Sequence, residues 1–253
     1  MRELAEQLVE YGFENLKIYA GFFLSYETEE ILEFTAKELR DYKEQDLAVL
    51  CICNPNAEEG QTVPFFSDDL FIRGKVPMTK EEVRTVSLSK MRLKRNSVVY
   101  DIGAGTGSVS VEAAYLAKNG RVYAIECNPE GAMLIRENAK KFQVENISVI
   151  EGMAPDSLDA LPAPDVVFIG GSKGQLREIL QVVKVKNPRA RVVINAITLE
   201  TLTRALDLCR EMDIVDDEIV ELQVSKAKNI GSYHMMTGQN PIYIISFTLK
   251  GNG

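Results

Sequence analysis

A short run of glycines directly after an apolar segment places the strongest restriction on the fold of this chain. Residues 98–109 read VVYDIGAGTGSV, so an apolar run leads into Asp101 and glycines follow at positions 103, 105 and 107. Glycine supplies backbone angles that other residues avoid, and it lets the backbone approach a neighbour closely. Helical spacing resumes from Ser108. The stretch therefore predicts a buried strand, a tight turn and a helix whose free N–H groups face a ligand.

The spacing of these glycines distinguishes two kinds of nucleotide-binding turn. The dinucleotide fingerprint G-x-G-x-x-G would need glycine where the chain has Ser108 or Ser110. Asp101, directly before the turn, is a poor neighbour for a pyrophosphate and suits a ligand with a positive ammonium group. The pattern D-x-G-x-G-x-G resembles motif I of class I S-adenosylmethionine-dependent methyltransferases. An NAD-dependent oxidoreductase is therefore the weakest alternative.

Strands and helices alternate after the glycine turn. The segment Arg121–Glu126 predicts a second strand, and its last residue is an acid about twenty residues past the glycines, where a carboxylate can meet ribose hydroxyls. Such alternation predicts a doubly wound, mostly parallel sheet. The other strands are expected at 147–150, 165–169, 191–194, 219–224 and 242–249, with helices at 128–142, 175–183 and 199–212.

Ligands of such sheets bind at the carboxyl ends of the strands. Asp101, Glu126, Met153, Gly170 and Asn195 all fall at predicted strand ends, so we expect them to converge on one rim. The residues predicted to bind the cofactor are Thr79, Asp101, Gly103, Gly105, Thr106, Gly107, Glu126, Cys127, Asn128, Gly152, Met153, Ala154 and Gly170.

Residues 1–66 differ from the rest and predict a small α/β segment. Its expected elements are helices at 1–11 and 28–40, strands at 16–24 and 47–53, and a loop at 54–61.

Farther along, Thr79 is expected to begin a helix that runs to about Leu88, with Glu82 completing a capping box. A long segment at 225–241, which holds the only histidine, has the length typical of a lid or of disorder.

Composition narrows the function classes. A net charge of −8 and an isoelectric point near 5.0 argue against a nucleic-acid partner, because such binding depends on neutralising phosphates. Neither a bilayer-spanning segment nor a secretion signal is evident, so we expect a cytoplasmic protein without a membrane partner. The four cysteines lack metal-ligand spacing, which predicts buried free thiols and no metal site.

Several motifs together resemble one family. They are PMTKEEVR (77–84), DIGAGTGSVSVEAA (101–114), EGMAP (151–155), FIGGSKG (168–174) and NAITLET (195–201). This set resembles the precorrin-8w and cobalt-precorrin decarboxylating C15-methyltransferases of cobalamin biosynthesis over residues 67–250. Residues 67–253 are thus expected to form the C15-methyltransferase domain. Residues 1–66 are similar to the C-terminal end of the precorrin C5-methyltransferase half that is fused ahead of it in many organisms.

The resemblance implies a Rossmann-like α/β fold with an antiparallel last strand, S-adenosylmethionine as methyl donor, and a homotetramer. It also implies methylation at C15 of a tetrapyrrole and loss of carbon dioxide from the C12 acetate. Tyr233 and His234 are the candidate catalytic residues, with His234 as a proton donor, and a loop histidine without a role is the alternative. The residues expected to contact substrate and its carboxylates are Arg73, Lys75, Lys80, Arg84, Gly171, Ser172, Lys173 and Asn195, with Lys226 and Lys228 as further cations.

Two other functions stay open on the sequence. An RNA or tRNA methyltransferase with the same cofactor domain would need a basic face and salt-sensitive RNA binding. A non-catalytic cofactor-binding subunit would bind the methyl donor without turning over a corrinoid.

Overall fold

A computed structural model describes residues 1–43, 48–54 and 65–251. The chain divides into two compact units, Met1–Thr62 and Val63–Gly253. Most of the loop predicted at 54–61, and Leu47 of the predicted strand before it, lie outside the described residues.

The first unit is a three-stranded antiparallel sheet with two helices. Its strand order is β2-β1-β3. Small and apolar side chains, Ala5, Ile18, Ala36 and Leu39, form its core. The elements are α1 (Arg2–Glu10), β1 (Lys17–Phe22), β2 (Glu30–Thr35), α2 (Ala36–Asp41) and β3 (Ala48–Cys53).

The helix predicted over 28–40 is wrong in its first half. Residues 30–35 form β2, which pairs with β1 along its whole length. The helix begins only after Thr35, whose side chain accepts a hydrogen bond from the Glu38 backbone N–H while the Glu38 carboxylate accepts from the Thr35 N–H. This capping box fixes where the strand stops and the helix starts.

The second unit contains the alternating strands and helices predicted from the glycine turn onward, a helix before that turn, and two strands within 225–238 that were not predicted. They are α3 (Glu81–Met91), β4 (Val98–Ile102), α4 (Ser108–Leu116), β5 (Arg121–Glu126), α5 (Pro129–Lys141), β6 (Ile147–Glu151), β7 (Val166–Ile169), α6 (Leu176–Lys186), β8 (Arg191–Ala196), α7 (Leu199–Glu211), β9 (Ile214–Leu222), β10 (Ser225–Ile230), β11 (Tyr233–Gly238) and β12 (Ile242–Leu249).

Seven of these strands form one sheet in the order β6-β5-β4-β7-β8-β12-β9. Strands β4 to β8 are parallel, and β12 runs antiparallel to both of its neighbours. This confirms the predicted fold class. From β4 the chain builds the sheet outward to β6 and then returns to place β7 on the other side of β4. The gap between the ends of β4 and β7 is therefore the topological switch point, where ligands of open α/β sheets bind.

In the second unit, the central strands and flanking helices bury apolar side chains in two clusters. Every residue of β7 and β8 is buried, as expected for parallel strands covered on both faces. Asn195 belongs to β8 and does not follow it, since the strand runs on to Ala196.

Helix α3 begins at Glu81 rather than next to Thr79. Lys80 occupies the N-cap position and makes no side-chain cap. The Asp68 carboxylate instead accepts a hydrogen bond from the Glu81 N–H at 3.0 Å. The capping box predicted from Thr79 and Glu82 is therefore wrong, because a carboxylate from an earlier segment of the chain takes over that function.

The segment predicted as a lid or as disordered is a β-hairpin. Strands β10 and β11 pair antiparallel, with Gly231 at positive φ between them, and every residue of both strands is exposed.

The prediction of buried cysteines is wrong for Cys51 and Cys127, which are exposed. Within the described ranges, no helix has the length and apolarity to cross a bilayer.

Candidate active site

A cavity of about 280 Å³ lies at the switch point, where the ends of β4, β5 and β7 meet. Most of the predicted cofactor residues line it, as do three predicted substrate residues. From the cofactor set these are Gly103, Gly105, Glu126, Cys127, Asn128, Gly152, Met153, Ala154 and Gly170, and from the substrate set Gly171, Ser172 and Lys173. The cavity is also lined by five residues that were not among the predicted site residues: Val76, Pro77, Ile102, Ile125 and Ile179.

Glu126 holds two turns of this cavity together. It ends β5, and its side chain is buried at the cavity wall. One carboxylate oxygen accepts from the Gly105 N–H and the other from the Asn128 N–H, both at 2.8 Å. Asn128 in turn caps α5, which begins with Pro129. Each carboxylate oxygen can accept a second hydrogen bond, so Glu126 is left with capacity for ligand hydroxyls.

The glycines of the turn are required by packing inside the protein. Gly103, Gly105 and Gly107 all have positive φ. A Cβ on Gly103 would lie 2.7–2.9 Å from backbone atoms of Gly171, and one on Gly105 would collide with the Pro77 carbonyl. The turn after β4 therefore sits directly against the turn after β7. This contact sets the floor of the cavity.

Asp101 does not line the cavity and lies beneath it. Its side chain is fully buried within β4 and accepts a hydrogen bond from the Ser110 hydroxyl of α4. The Asp101 Oδ1 atom has no partner among the described residues. Burial, helped by the nearby Glu126 carboxylate, raises the pKa of Asp101 to about 7. Asp101 is therefore not among the residues that line the cavity, and its contact with an ammonium group stays a prediction.

Two further predicted cofactor residues share this buried position. The Thr106 side chain is buried, and Gly107 packs against Ile135 at the start of α4. Neither residue lines the cavity, since the turn carries them into the protein as the helix begins.

Replacing Asp101 by asparagine should change how stability depends on pH. In the folded protein the raised pKa keeps the proton on Asp101 up to about pH 7, whereas in the unfolded chain it leaves near pH 3.8. The free energy of unfolding of the wild type should therefore fall as the pH rises from 3.8 to about 7, by on the order of 1 kcal/mol per pH unit. Asp101→Asn removes this loss and should be more stable than wild type at pH 8. Urea unfolding at pH 5 and pH 8 measures the difference, and parallel pH profiles for the two proteins would contradict the assignment.

Two neighbouring cavities extend the site along the sheet edge. One, of about 230 Å³, is lined by Thr79 and Lys80 together with Gly103, Gly170 and Asn195. The other, of about 330 Å³, shares Lys173 with the first cavity and Asn195 with the second. Thr79 therefore belongs to a space beside the predicted cofactor cavity. Together the three spaces place a broad concave surface at the carboxyl ends of the strands.

Among the predicted substrate cations, Arg84 lies inside the protein, whereas Arg73 and Lys75 are exposed at its surface. Arg84 is fully buried, where it contacts Glu112, Asp68 and backbone carbonyls. Its grouping with the substrate ligands is corrected, because its donors are committed inside the protein. Arg73 is exposed and donates to the Asp68 carbonyl, whereas Lys75 is exposed near Glu130, which accepts from its backbone N–H. Lys226 pairs with Glu82 at 2.6 Å.

The hairpin residues stand apart from the cavities. Tyr233 and His234 lie on β11 with exposed side chains and line none of the three spaces described above. Sequence reasoning missed Arg204, Thr198 and Thr201, which line the cavity shared with Lys173. Thr198 and Thr201 belong to the motif at 195–201 but were not selected as site residues, and Arg204 lies on helix α7 beyond that motif.

A glycine turn at the switch point, followed by an acidic strand tip, defines this unit as a class I S-adenosylmethionine-dependent methyltransferase. Residues 69–249 match the family described as "Precorrin methyltransferase domain". The chain belongs to the precorrin methyltransferase family.

Similar proteins and solved structures support this family membership. A probable cobalt-precorrin-6B C(15)-methyltransferase (decarboxylating) from Pyrobaculum calidifontis is 41% identical over 186 residues, which cover 72% of this chain and 95% of the relative. The crystal structure of precorrin-6y C5,15-methyltransferase from Geobacter metallireducens is 44% identical, with a TM-score of 0.68, and the match covers 72% of this chain and 97% of that one. The structure of precorrin 8W decarboxylase from Methanobacterium thermoautotrophicum is 34% identical, also with a TM-score of 0.68, over 74% of this chain and all of that one.

Proposed function

We propose that this chain transfers a methyl group from S-adenosylmethionine to C15 of a precorrin or cobalt-precorrin macrocycle and removes carbon dioxide from the C12 acetate. The observation that carries the proposal is the cavity at the switch point, together with the two spaces that open beside it. A nucleoside donor and a broad, flat acceptor both need such room side by side. Family membership and the names of the relatives support the same activity.

The residues of the first cavity suit the methyl donor. Glu126 has free acceptor capacity for two ribose hydroxyls, while Ile102, Ile125 and Met153 offer apolar surface to an adenine ring. The close contact between the turns at Gly103 and Gly171 holds the donor at the border of the two neighbouring cavities. When bound, the sulfonium group of the cofactor supplies the methyl group.

The remaining chemistry requires positioning more than acid–base catalysis. The conjugated macrocycle supplies its own nucleophilic carbon and accepts the electron pair that decarboxylation leaves behind. The protein must then hold the acceptor carbon in line with the methyl group, which is chiefly an orientation effect. This agrees with a site in which glycine backbone, one acid and several cations converge.

Replacing Glu126 by glutamine should weaken cofactor binding. The amide would direct its NH₂ group at one of the two backbone N–H donors that the carboxylate now binds. We expect the affinity for S-adenosylhomocysteine to fall by about 10- to 100-fold, the cost of an unpaired buried donor. Glu151→Gln is the matched control, because Glu151 ends the neighbouring strand β6 but is exposed and pairs with Arg136. Calorimetric titration of both variants checks the prediction, and equal affinities would contradict it.

The activity itself is tested by incubation with the methyl donor and a precorrin, with and without cobalt. The expected result is a product heavier by one methyl group and lighter by one carbon dioxide, detected by mass spectrometry. Calorimetry should detect binding of S-adenosylhomocysteine and none of NAD. Cofactor binding without turnover of either precorrin would favour the non-catalytic subunit, and salt-sensitive binding of tRNA would favour the RNA methyltransferase.

We further propose that the chain forms a homo-oligomer, a tetramer on the family resemblance. The β10–β11 hairpin supports this, since Ile230, Tyr233, Met235 and Met236 are all at least half exposed. Exposed apolar patches of this kind mark association surfaces. The double variant Tyr233→Lys/Met235→Lys should sediment as a smaller species than wild type. Val185→Lys, which changes an exposed residue of α6, should leave the assembly intact, and unchanged sedimentation of the hairpin variant would contradict the proposal.

Residues 1–66 lie outside the family match. Their likeness to the end of a C5-methyltransferase half stays a prediction, as do the domain boundary at residue 66, the cytoplasmic location and the absence of nucleic-acid and membrane partners.

A further inference from the structure

The cavity of about 330 Å³ beside the predicted cofactor space has a cationic lining. Lys173 and Arg204 line it, and none of its lining residues is acidic. Across the part of the chain that the structure describes, neither cation forms an ion pair with a carboxylate, and the Arg204 guanidinium donates only to the Gly174 carbonyl, at 3.3 Å. Two unpaired cations at one cavity of a chain with a net charge of −8 indicate an anionic ligand.

Asn195 supplies an independent sign of a ligand at the same place. It is 7% exposed and lies in the wall that this cavity shares with its neighbour. Its Oδ1 atom contacts the Ser87 hydroxyl at 3.1 Å, but its Nδ2 atom has no partner within the described ranges. An unpaired buried amide costs free energy, so its position at the wall of this cavity calls for a partner that the described residues do not supply.

The rest of the lining also suits an anion. Thr198 caps α7 and, with Thr201, places two hydroxyls at the cavity. The positive end of the helix dipole lies at the same point. Lys173 has a left-handed backbone, with a φ of 49°, next to Gly174 at 87°, and this turn brings the lysine to the border between this cavity and the predicted cofactor space.

We propose that this cavity binds one carboxylate side chain of the tetrapyrrole, with Asn195, Lys173 and Arg204 as its specificity-determining residues. The inference rests on the proposed function, because that function supplies a substrate with several carboxylates. The carboxylate held here is one that the product keeps. A departing carboxylate breaks its C–C bond and leaves the electron pair on the macrocycle, and cations that stabilise the bound anion would oppose that step.

The double variant Lys173→Met/Arg204→Gln tests the cations, since both side chains are exposed and the changes should not affect folding. We expect the KM for the precorrin to rise about tenfold with kcat little changed, because the anchor acts equally on bound substrate and transition state. The ratio of carbon dioxide released to methyl transferred should stay at one. Raised salt should weaken wild-type binding and affect the variant less. Arg210→Gln, on the exposed surface of the same helix, is the control.

Asn195→Asp tests the buried amide. The substitution keeps size and shape but replaces a donor by an acceptor, so it should raise KM by tenfold or more, with the fold checked by thermal melting. Unchanged or improved binding would mean that the ligand donates to residue 195, and it would overturn the carboxylate assignment. If methylation and carbon dioxide release became uncoupled in the Lys173/Arg204 variant, the departing carboxylate would be the one bound in this cavity. That result would also overturn the proposal that the cavity holds a carboxylate kept by the product.

A stable probe separates this inference from the proposed function. Cobyrinic acid is a corrinoid polycarboxylate whose C12 acetate has already lost its carboxyl group, and its full methyl ester carries no carboxylate charge. Wild type should bind the acid at least tenfold more tightly than the ester, and the double variant should lose that preference while its affinity for S-adenosylhomocysteine is retained. Normal precorrin turnover with an unchanged preference in the variant would overturn the inference alone. Absence of both precorrin turnover and acid binding in wild type would overturn the proposed function with it.

Discussion

Replacing Arg84 by methionine should lower the free energy of unfolding by about 3–5 kcal/mol, the range for breaking a buried ion pair. Both Arg84 and Glu112 have fully buried side chains, and their Nε and Oε1 atoms lie 2.5 Å apart. The guanidinium also donates to Asp68 at 3.1 Å and to the Thr79 carbonyl at 2.7 Å, and it stacks over the Phe71 ring at 4.8 Å. The variant leaves the Glu112 carboxylate buried without its cation.

The consequence should reach the active site. Arg84 fixes the segment before α3, whose residues Pro77 and Thr79 line the cofactor cavity and the space beside it. Affinity for S-adenosylhomocysteine should therefore fall in Arg84→Met even at temperatures where the protein stays folded. Chemical unfolding combined with calorimetric titration measures both effects.

Two comparisons separate this effect from the loss of an ordinary surface charge. Arg136→Met breaks an ion pair with Glu151 in which both side chains are about half exposed, so it should cost less than about 1 kcal/mol. The double variant Arg84→Met/Glu112→Leu should recover part of the lost stability, because no uncompensated charge remains buried. A cost for Arg84→Met no greater than that for Arg136→Met would show that the buried pair contributes no more than a surface pair.

The features that sequence predicted well are those set by local patterns. Strands β5 and β12 have the bounds expected from their apolar runs, and Glu126 lies at a strand tip as its distance from the glycines indicated. Periodicity identifies an element, and the alternation of elements then fixes a parallel sheet whose strand ends face one rim. This reasoning was sufficient to bring most of the predicted cofactor residues together around one cavity, whose cofactor stays a proposal.

The features that it missed depend on contacts between distant segments. Asp101 precedes the glycines as a ligand-binding acid would, yet the geometry of β4 directs it to Ser110 beneath the turn. Helix α3 begins where the carboxylate of Asp68 caps it, and no local motif encodes that contact. Arg204 reaches a cavity from a helix that carries no binding motif. Such side chains acquire a role only once the chain is folded.

Gly103→Ala should reduce methyl transfer by on the order of 100-fold, since displacement of a positioned group by about 1 Å can cost that much. Gly103 has a φ of +72°, which strains a residue with a side chain, and its added Cβ would lie 2.7–2.9 Å from backbone atoms of Gly171. Backbone on both sides cannot move away as a flexible side chain could. The turns after β4 and β7 must then separate, and the floor of the cofactor cavity shifts with them.

Two alanine variants isolate the cause. Gly12→Ala has the same positive φ, at +81°, but nothing lies within 4 Å of its Cβ, so it should lose some stability and keep methyl transfer. Gly171→Ala meets neither strain nor collision and should retain stability close to that of wild type. If Gly103→Ala retained both cofactor affinity and turnover, the contact between the two turns would not set the geometry of the site. The expected result is that Gly103→Ala, which combines strain with a backbone collision, loses both, whereas Gly12→Ala keeps both.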